Sequence, residues 1–175
     1  PIYNNSLNFI LDSFSDCPMT VSTPSPLQTL AVMGLPLHLH DNYPQWLAER
    51  LERGESTHVV TLNAEMAMQA QKNDRLAHCI HQADLIVPDG SGVVFYLYLR
   101  GHQSDRVPGI EVAENLLKLA ATQRWSVFFY GGQPGIPEAA QAQWQEAYPH
   151  LNIVGVQHGY VPMAEEGAFL DRLKR

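Results

Sequence analysis

The residue types best suited to chemistry fall in a few short stretches, and the most suggestive is Pro88-Asp89-Gly90-Ser91-Gly92. Pro88 fixes the approach of the chain, and the glycines permit tight backbone geometry around one carboxylate. A carboxylate held this way can take a proton from a hydroxyl as a general base. The same residue also suits a plain turn or helix cap. Thr61-Leu62-Asn63 offers a second pair, because Thr61 and Asn63 point to one side if the segment is extended. Asn63 is equally a good N-cap, and Glu65 a first-turn carboxylate favoured by the helix dipole. Gly131-Gly132-Gln133-Pro134-Gly135 lets the backbone approach a ligand ahead of a helix start with free N–H groups, the arrangement that holds phosphate, or else makes a tight turn. It is neither the Gly-x-Gly-x-x-Gly fingerprint nor a Walker loop. Arg106, in Asp105-Arg106-Val107-Pro108-Gly109, can clamp a phosphate with its planar fork or stand as an ordinary surface arginine. His158, in Gln157-His158-Gly159-Tyr160, is either a cleft residue or a loop histidine.

No Asp-x-Asp pair follows a strand, and no His, Cys and carboxylate cluster has metal-ligand spacing, so no metal and no cofactor is expected. Asp12 and Asp16 read as solvated charge in a tail. Cys17 and Cys79 lie far apart in unlike contexts, which suits free thiols in a reducing compartment.

These residues need a frame, and periodicity supplies one from Leu27 onward. Strand candidates are Leu30 to Met33, His58 to Leu62, Asp84 to Val87, Ser126 to Tyr130 and Asn152 to Val156. Helix candidates are Asn42 to Arg53, with Trp46, Leu47 and Leu51 as its apolar stripe and Gly54 as its stop; Ala64 to Ala83, broken near Asn73-Asp74; Glu111 to Thr122; and Pro137 to Ala147. The run Val93 to Leu99 follows a glycine turn and is read as a helix. Alternation of this kind predicts an α/β fold, a Rossmann-like parallel sheet flanked by helices, with ligands beyond the strands' carboxyl ends. Thr61 lies just inside the end of such a strand, and Asn63, Asp89, Gly131 and His158 follow such ends. Residues 1–27, rich in Asn, Ser, Thr and Pro, read as a flexible leader, and 28–175 as one domain.

Composition narrows the class. The 175 residues are 45% hydrophobic with a formal charge of -7, which suits an α/β protein and argues against a nucleic-acid binder. The longest apolar run, Val93 to Leu99, is far short of the roughly 20 residues a membrane-spanning helix needs. The chain begins at Pro1 rather than Met, leaving room for an upstream segment.

In sequence order, Thr61-Leu62-Asn63-Ala64-Glu65-Met66, Ala83 to Val94, Arg106-Val107-Pro108-Gly109, Phe129 to Gly135 and His158-Gly159-Tyr160 together resemble the WecG/TagA/CpsF family, glycosyltransferase family 26. The resemblance covers about residues 30 to 170. It implies an inverting hexosyltransferase that moves an N-acetylmannosamine-type sugar from a UDP donor to a lipid-diphosphate-linked sugar in bacterial surface-polysaccharide synthesis. It further implies Asp89 as general base with Thr61 as its polar partner, Arg106 on the lipid-linked diphosphate, and catalysis without a metal. Work at the cytoplasmic face of the plasma membrane goes with that reading. The Gly131 to Gly135 turn, with Gln133, then becomes a donor-phosphate element, and Asn63 and His158 substrate-binding candidates.

The family's Pro-x-Gln-Glu and Gly-Gly-x-Phe-Asp motifs and its basic C-terminal appendage do not occur before Arg175, where the chain stops in the helix-like stretch Glu165 to Arg175. The sequence therefore predicts a domain incomplete at its C-terminus, weak in catalysis alone, with exposed apolar surface that favours self-association. Peripheral membrane contact is expected only of the full-length protein. Two other readings stand beside the enzyme: a non-catalytic nucleotide- or phosphate-binding remnant, and a NAD-type oxidoreductase domain, which lacks the glycine spacing.

Overall fold

Short β-branched and leucine-rich segments separated by asparagine-capped helices make a sequence of local units. The computed structural model describes residues 26–102, 104, 106–162, 164 and 166–173. Most of the expected leader, residues 1–25, lies outside them, as do Cys17 and Asp105.

The chain opens with a hairpin. Strands β1 (Gln28–Val32) and β2 (Leu35–Leu39) pair antiparallel across Met33 and Gly34, both at positive φ (52° and 83°). That is the twist a two-residue hairpin turn requires. The sequence reading placed a single strand here and expected only parallel pairing, so this ladder is a correction. Met-Gly is a weak turn signal and Pro36 argues against a strand, yet Leu35 and Leu37 alternate into the core and win.

Helix α1 (Tyr43–Glu52) follows, with Asn42 Oδ1 accepting from the Gln45 N–H at 3.0 Å. Its stripe differs from the expected one. Tyr43 and Leu47 are buried, whereas Leu51 is 49% exposed because it lies past the contact with the sheet. Trp46 is half-buried and carries the Arg50 guanidinium 4.9 Å above its ring. Strand β3 (Val59–Leu62) then leads to α2 (Ala64–Ala70) and α3 (Asp74–His81). The break falls where Asn73 caps α3, its Oδ1 accepting from the Leu76 N–H. Strand β4 (Leu85–Pro88) is buried at every position and pairs parallel with β3, Thr61 opposite Val87 and Leu62 opposite Pro88.

Side chains alternate across β3 and β4, so the pair feeds two cores. Leu85 and Val87 pack with Tyr43, Leu47 and Val112 from α1 and α5 (Gly109–Gln123). Ile86 and Leu62 pack with Leu37, Ala67, Ile80, Val93 and Leu97 from β2, α2, α3 and α4 (Ser91–Leu99). Each fully buried aliphatic side chain here stabilises the fold by about 1.5–3 kcal/mol. Strand β2 lies along β4, and the His38 imidazole joins them, its Nδ1 accepting from the Ile86 N–H at 3.0 Å. The run 93–99 is helical as expected, although only Val93 and Leu97 are buried while Phe95, Tyr98 and Leu99 face outward.

A second parallel ladder pairs β5 (Ser126–Tyr130) with β6 (Asn152–Gln157), connected through α6 (Ile136–Ala147). Its register shifts at Val127/Phe128, where Gly155 lies opposite Phe128 and gives room to its ring. Helix α7 (Glu166–Leu173) docks through buried Phe169, stacked on Tyr130 at 5.0 Å between ring centres. The whole is an α/β fold with short parallel ladders and flanking helices, consistent with a Rossmann-like arrangement. Among the described residues no helix is long and apolar enough to cross a membrane.

Candidate active site

Three separate stretches meet at the carboxyl end of the β3–β4 pair. The ladder runs one step past its last registered pair, because the Asp89 N–H donates to the Leu62 carbonyl at 2.9 Å. Asp89 is thereby fixed through its own backbone, with a half-buried side chain. Gly90 turns the chain at φ 85° and ψ 153°, a conformation that favours glycine, and α4 begins at Ser91. On the neighbouring strand Thr61 is half-buried, and Asn63 leaves the ladder extended to cap α2, its Oδ1 accepting from the Met66 N–H at 2.8 Å. Capping therefore occupies the Asn63 oxygen and leaves its amide nitrogen for other work.

The third stretch is the segment 106–109. The Val107 N–H donates to the Pro88 carbonyl at 3.1 Å, tying the segment beside Asp89. Gly109, the first residue of α5, lies so close to β3 that a Cβ there would sit 2.5 Å from the Thr61 methyl. A similar approach joins α4 to α2, where a Cβ on Gly92 would meet the Ala64 Cβ at 2.8 Å. Glycines at 92 and 109 thus let the helix starts crowd around Thr61, Asn63 and Asp89. Arg106 is exposed at the edge of this group, which no local sequence signal could have established.

The remaining predicted residues form a second group at the ends of β5 and β6. Gly131 (φ 126°) donates its N–H to the Gln157 carbonyl at 2.9 Å, and the Gly159 N–H donates to the Gly132 carbonyl at 2.9 Å. The Gly159 Cα faces bare backbone, since a Cβ there would be 3.4 Å from the Gly131 Cα. The turn 131–135 and the loop 158–160 are one unit. Gln133 and Gly135 are exposed within it, and Gly135 (φ 90°) starts α6. His158 is half-buried, and its Nδ1 accepts from the Tyr160 N–H at 3.2 Å, which shapes the loop.

The helices divide by their caps. α1, α2 and α3 are capped by the side chains of Asn42, Asn63 and Asn73, whereas α4, α5 and α6 start at Gly90, Pro108 and Gly135 without a side-chain cap. Uncapped first-turn N–H groups suit an anionic ligand, and all three starts belong to the predicted motifs.

Sequence reasoning missed one further element of this region. A cavity of about 740 Å³ opens between the end of β2, the start of α1 and the first turns of α5. Its lining includes His40, Asp41, Asn42, Glu111 and Asn115, together with Arg106 and Val107. With β2 unrecognised, nothing in the sequence placed residues 40–42 near Arg106. The spacing of Glu111 and Asn115, four apart on a helix that starts at the motif, was the available signal.

Residues 30–175 match the model of the Glycosyl transferase WecG/TagA/CpsF family. Two relatives, from Staphylococcus aureus strains NCTC 8325 / PS 47 and COL, are each named N-acetylglucosaminyldiphosphoundecaprenol N-acetyl-beta-D-mannosaminyltransferase. Each is 35% identical to this chain over 109 residues, 62% of the chain and 42% of the relative. The match thus spans less than half the length of these relatives.

Proposed function

The chain belongs to the Glycosyl transferase WecG/TagA/CpsF family, and on that premise we propose that it carries the acceptor-activating part of an inverting sugar transferase. The donor is a UDP-linked N-acetylmannosamine-type sugar, and the acceptor a sugar on a polyprenyl diphosphate at the cytoplasmic face of the membrane. The relatives' printed name supports the class of sugar and the lipid-diphosphate acceptor. The observation that carries the reading is the meeting of Thr61, Asn63, Asp89 and the 106–109 segment at one strand-pair end.

Inversion needs one carboxylate to remove the proton from the acceptor hydroxyl as its oxygen attacks the anomeric carbon. Asp89 takes that role, with Thr61 and the Asn63 amide positioned on the adjacent strand to orient the hydroxyl. The bond to the donor diphosphate breaks as the new bond forms, and its electron pair leaves on a phosphate oxygen. That charge is met by cationic side chains and N–H groups rather than by a metal. Arg106 serves the acceptor diphosphate, and the turn 131–135 with the uncapped start of α6 serves the donor phosphates, His158 shaping the loop against it.

The test is Asp89→Asn in a protein of the relatives' full length that carries these residues. Transfer falls by about 10²–10⁴ and UDP binding is kept, the size a lost general base produces. Parental transfer proceeds in excess EDTA. Transfer within tenfold of the parent after Asp89→Asn would overturn the base assignment, and UDP binding by a parent that transfers nothing would favour a non-catalytic remnant.

A further inference from the structure

Helix α4 presents a face that no described residue covers. Phe95, Tyr98 and Leu99 stand at i, i+3 and i+4, each 61–66% exposed, on the side away from buried Val93 and Leu97. Alone among the described helices, α4 contains no charged residue. A helix apolar all round belongs inside a fold, so its outer face calls for a cover. Two aromatics and a leucine at this exposure offer about 300–400 Å². A second copy seated there would bury about 600–800 Å² in all, short of the roughly 1,200–2,000 Å² of a stable interface. A segment of the same chain has a lower threshold, because its tether holds it at an effective concentration on the order of millimolar.

The chain supplies a matching segment ahead of Pro26, the first described residue. Leu7, Ile10, Leu11 and Phe14 follow the i, i+3, i+4, i+7 spacing of one helix stripe, with Asn8, Asp12 and Asp16 on the other side and Phe9 the one departure. Ser6 suits the N-cap, and Pro18 stops a helix at or before Cys17. The leader's only charges are Asp12 and Asp16, and no acid occurs from Gly90 to Ser104, where α4 is followed by Arg100 and His102. No like charge therefore opposes the approach, in a chain whose formal charge is -7. The nine residues between Asp16 and Pro26 can span about 30 Å. They lead into β1, whose Val32 shares a core with Val93 and Leu97 of α4.

We propose that residues 7–16 fold as a helix on the outer face of α4, with Leu7, Ile10, Leu11 and Phe14 meeting Phe95, Tyr98 and Leu99. A helix of about ten residues is marginal in water by itself, so it forms as it docks. The occupant is this chain's own leader, neither a second copy nor a bilayer. Because α4 starts at Ser91, two residues past Asp89, the docked leader braces the helix that follows the candidate base. The inference does not depend on the role given to Asp89.

Cys17 lies one residue past the segment, so a nitroxide attached there in a Cys79→Ser chain of all 175 residues reports where the segment sits. In nitrogen–proton NMR spectra the label should broaden the amide signals of residues 94–99 more than those of Leu51 on α1 or Val154 on β6. Amide exchange at Phe14 should be at least about tenfold slower than in Leu11→Asp, which puts a charge on the stripe. Phe95→Ser, at an exposed position of α4, should remove both the broadening and the protection while the signals of β3 and β4 stay in place. Broadening and exchange unchanged in both variants, or broadening confined to other elements, would overturn the proposal. Broadening seen only between separately labelled chains in a mixture would assign the face to a second copy and overturn it too. So would protection at Phe14 that appears only with phosphatidylglycerol vesicles, which would assign the leader to a membrane surface.

Discussion

Gly109→Ala probes the joint on which the candidate site depends. The new Cβ would lie 2.5 Å from Thr61 Cγ2, 3.0 Å from its Cβ and 3.2 Å from Oγ1. Ordinary carbon contacts are about 3.5–4.0 Å, so about 1 Å must be recovered by movement. Thr61 is β-branched within a paired strand and cannot turn its methyl away freely. Gly109 heads a 15-residue helix whose Val112 is anchored in the core. Overpacking of this kind costs about 1–3 kcal/mol. Reduced freedom of the unfolded chain returns about 0.4–1 kcal/mol, leaving a net loss of about 1–2 kcal/mol. Thr61→Ser removes the closest atom and by itself costs about 0.8 kcal/mol for the lost methyl. The double variant should be more stable than the sum of the singles by about 1 kcal/mol. Urea unfolding followed by circular dichroism and by tryptophan fluorescence, with Trp46 reporting on the α1–α5 side, reads all four proteins. A Gly109→Ala chain as stable as its parent, or strictly additive singles, would refute the geometry.

Two further outcomes follow from the same structure. Burial holds the His38 imidazole below its ordinary value of 6.5, and its Nδ1 must be unprotonated to accept from Ile86. The unfolded chain therefore binds that proton more readily, so the contribution is complete above about pH 6.5 and is lost as pH falls toward the folded value. Between about pH 7.5 and about pH 5.5 the parent's urea midpoint should drop further than that of His38→Asn, and equal drops would refute this. At Asn63, Asp keeps the oxygen that caps α2 whereas Ala loses it, so Asn63→Ala costs about 1 kcal/mol and Asn63→Asp little. If the amide nitrogen orients substrate, both variants lose transfer in the full-length protein, and full transfer by Asn63→Asp would restrict the residue to capping.

Much of this was readable from residue types. Asn42, Asn63 and Asn73 each precede a helix and cap it, and the all-apolar Leu85-Ile86-Val87 is the strand buried on both faces. Asp89 at a strand end between Pro88 and Gly90 was visible as a candidate before any coordinate. The hairpin was not, because its turn uses Met33 at positive φ and its second strand contains Pro36, two choices that local preference disfavours and tertiary burial of Leu35 and Leu37 overrides. Losing β2 also lost the cavity, whose His40 and Asn42 lie about 65 residues from Arg106 in sequence, a separation no periodicity can bridge. Gly109 was legible as a turn glycine, but its reason is contact with Thr61, and contacts of that range exist only in the folded chain.

The backbone bond from Asp89 to Leu62 has a consequence for how such a site can change over time. The frame holds position 89 by its amide, and no described side-chain hydrogen bond or ion pair of Asp89 contributes to the hold. Any residue except proline, which lacks the N–H, can keep the same backbone tie at this position. Chemistry at this strand end is therefore exchangeable: a lineage could swap the carboxylate for a carboxamide, hydroxyl or imidazole and keep the architecture while testing another reaction. Positions 92 and 109 have no such latitude, since any side chain there meets a neighbour. Substitution should be freer at the reactive position than at the silent glycines that surround it.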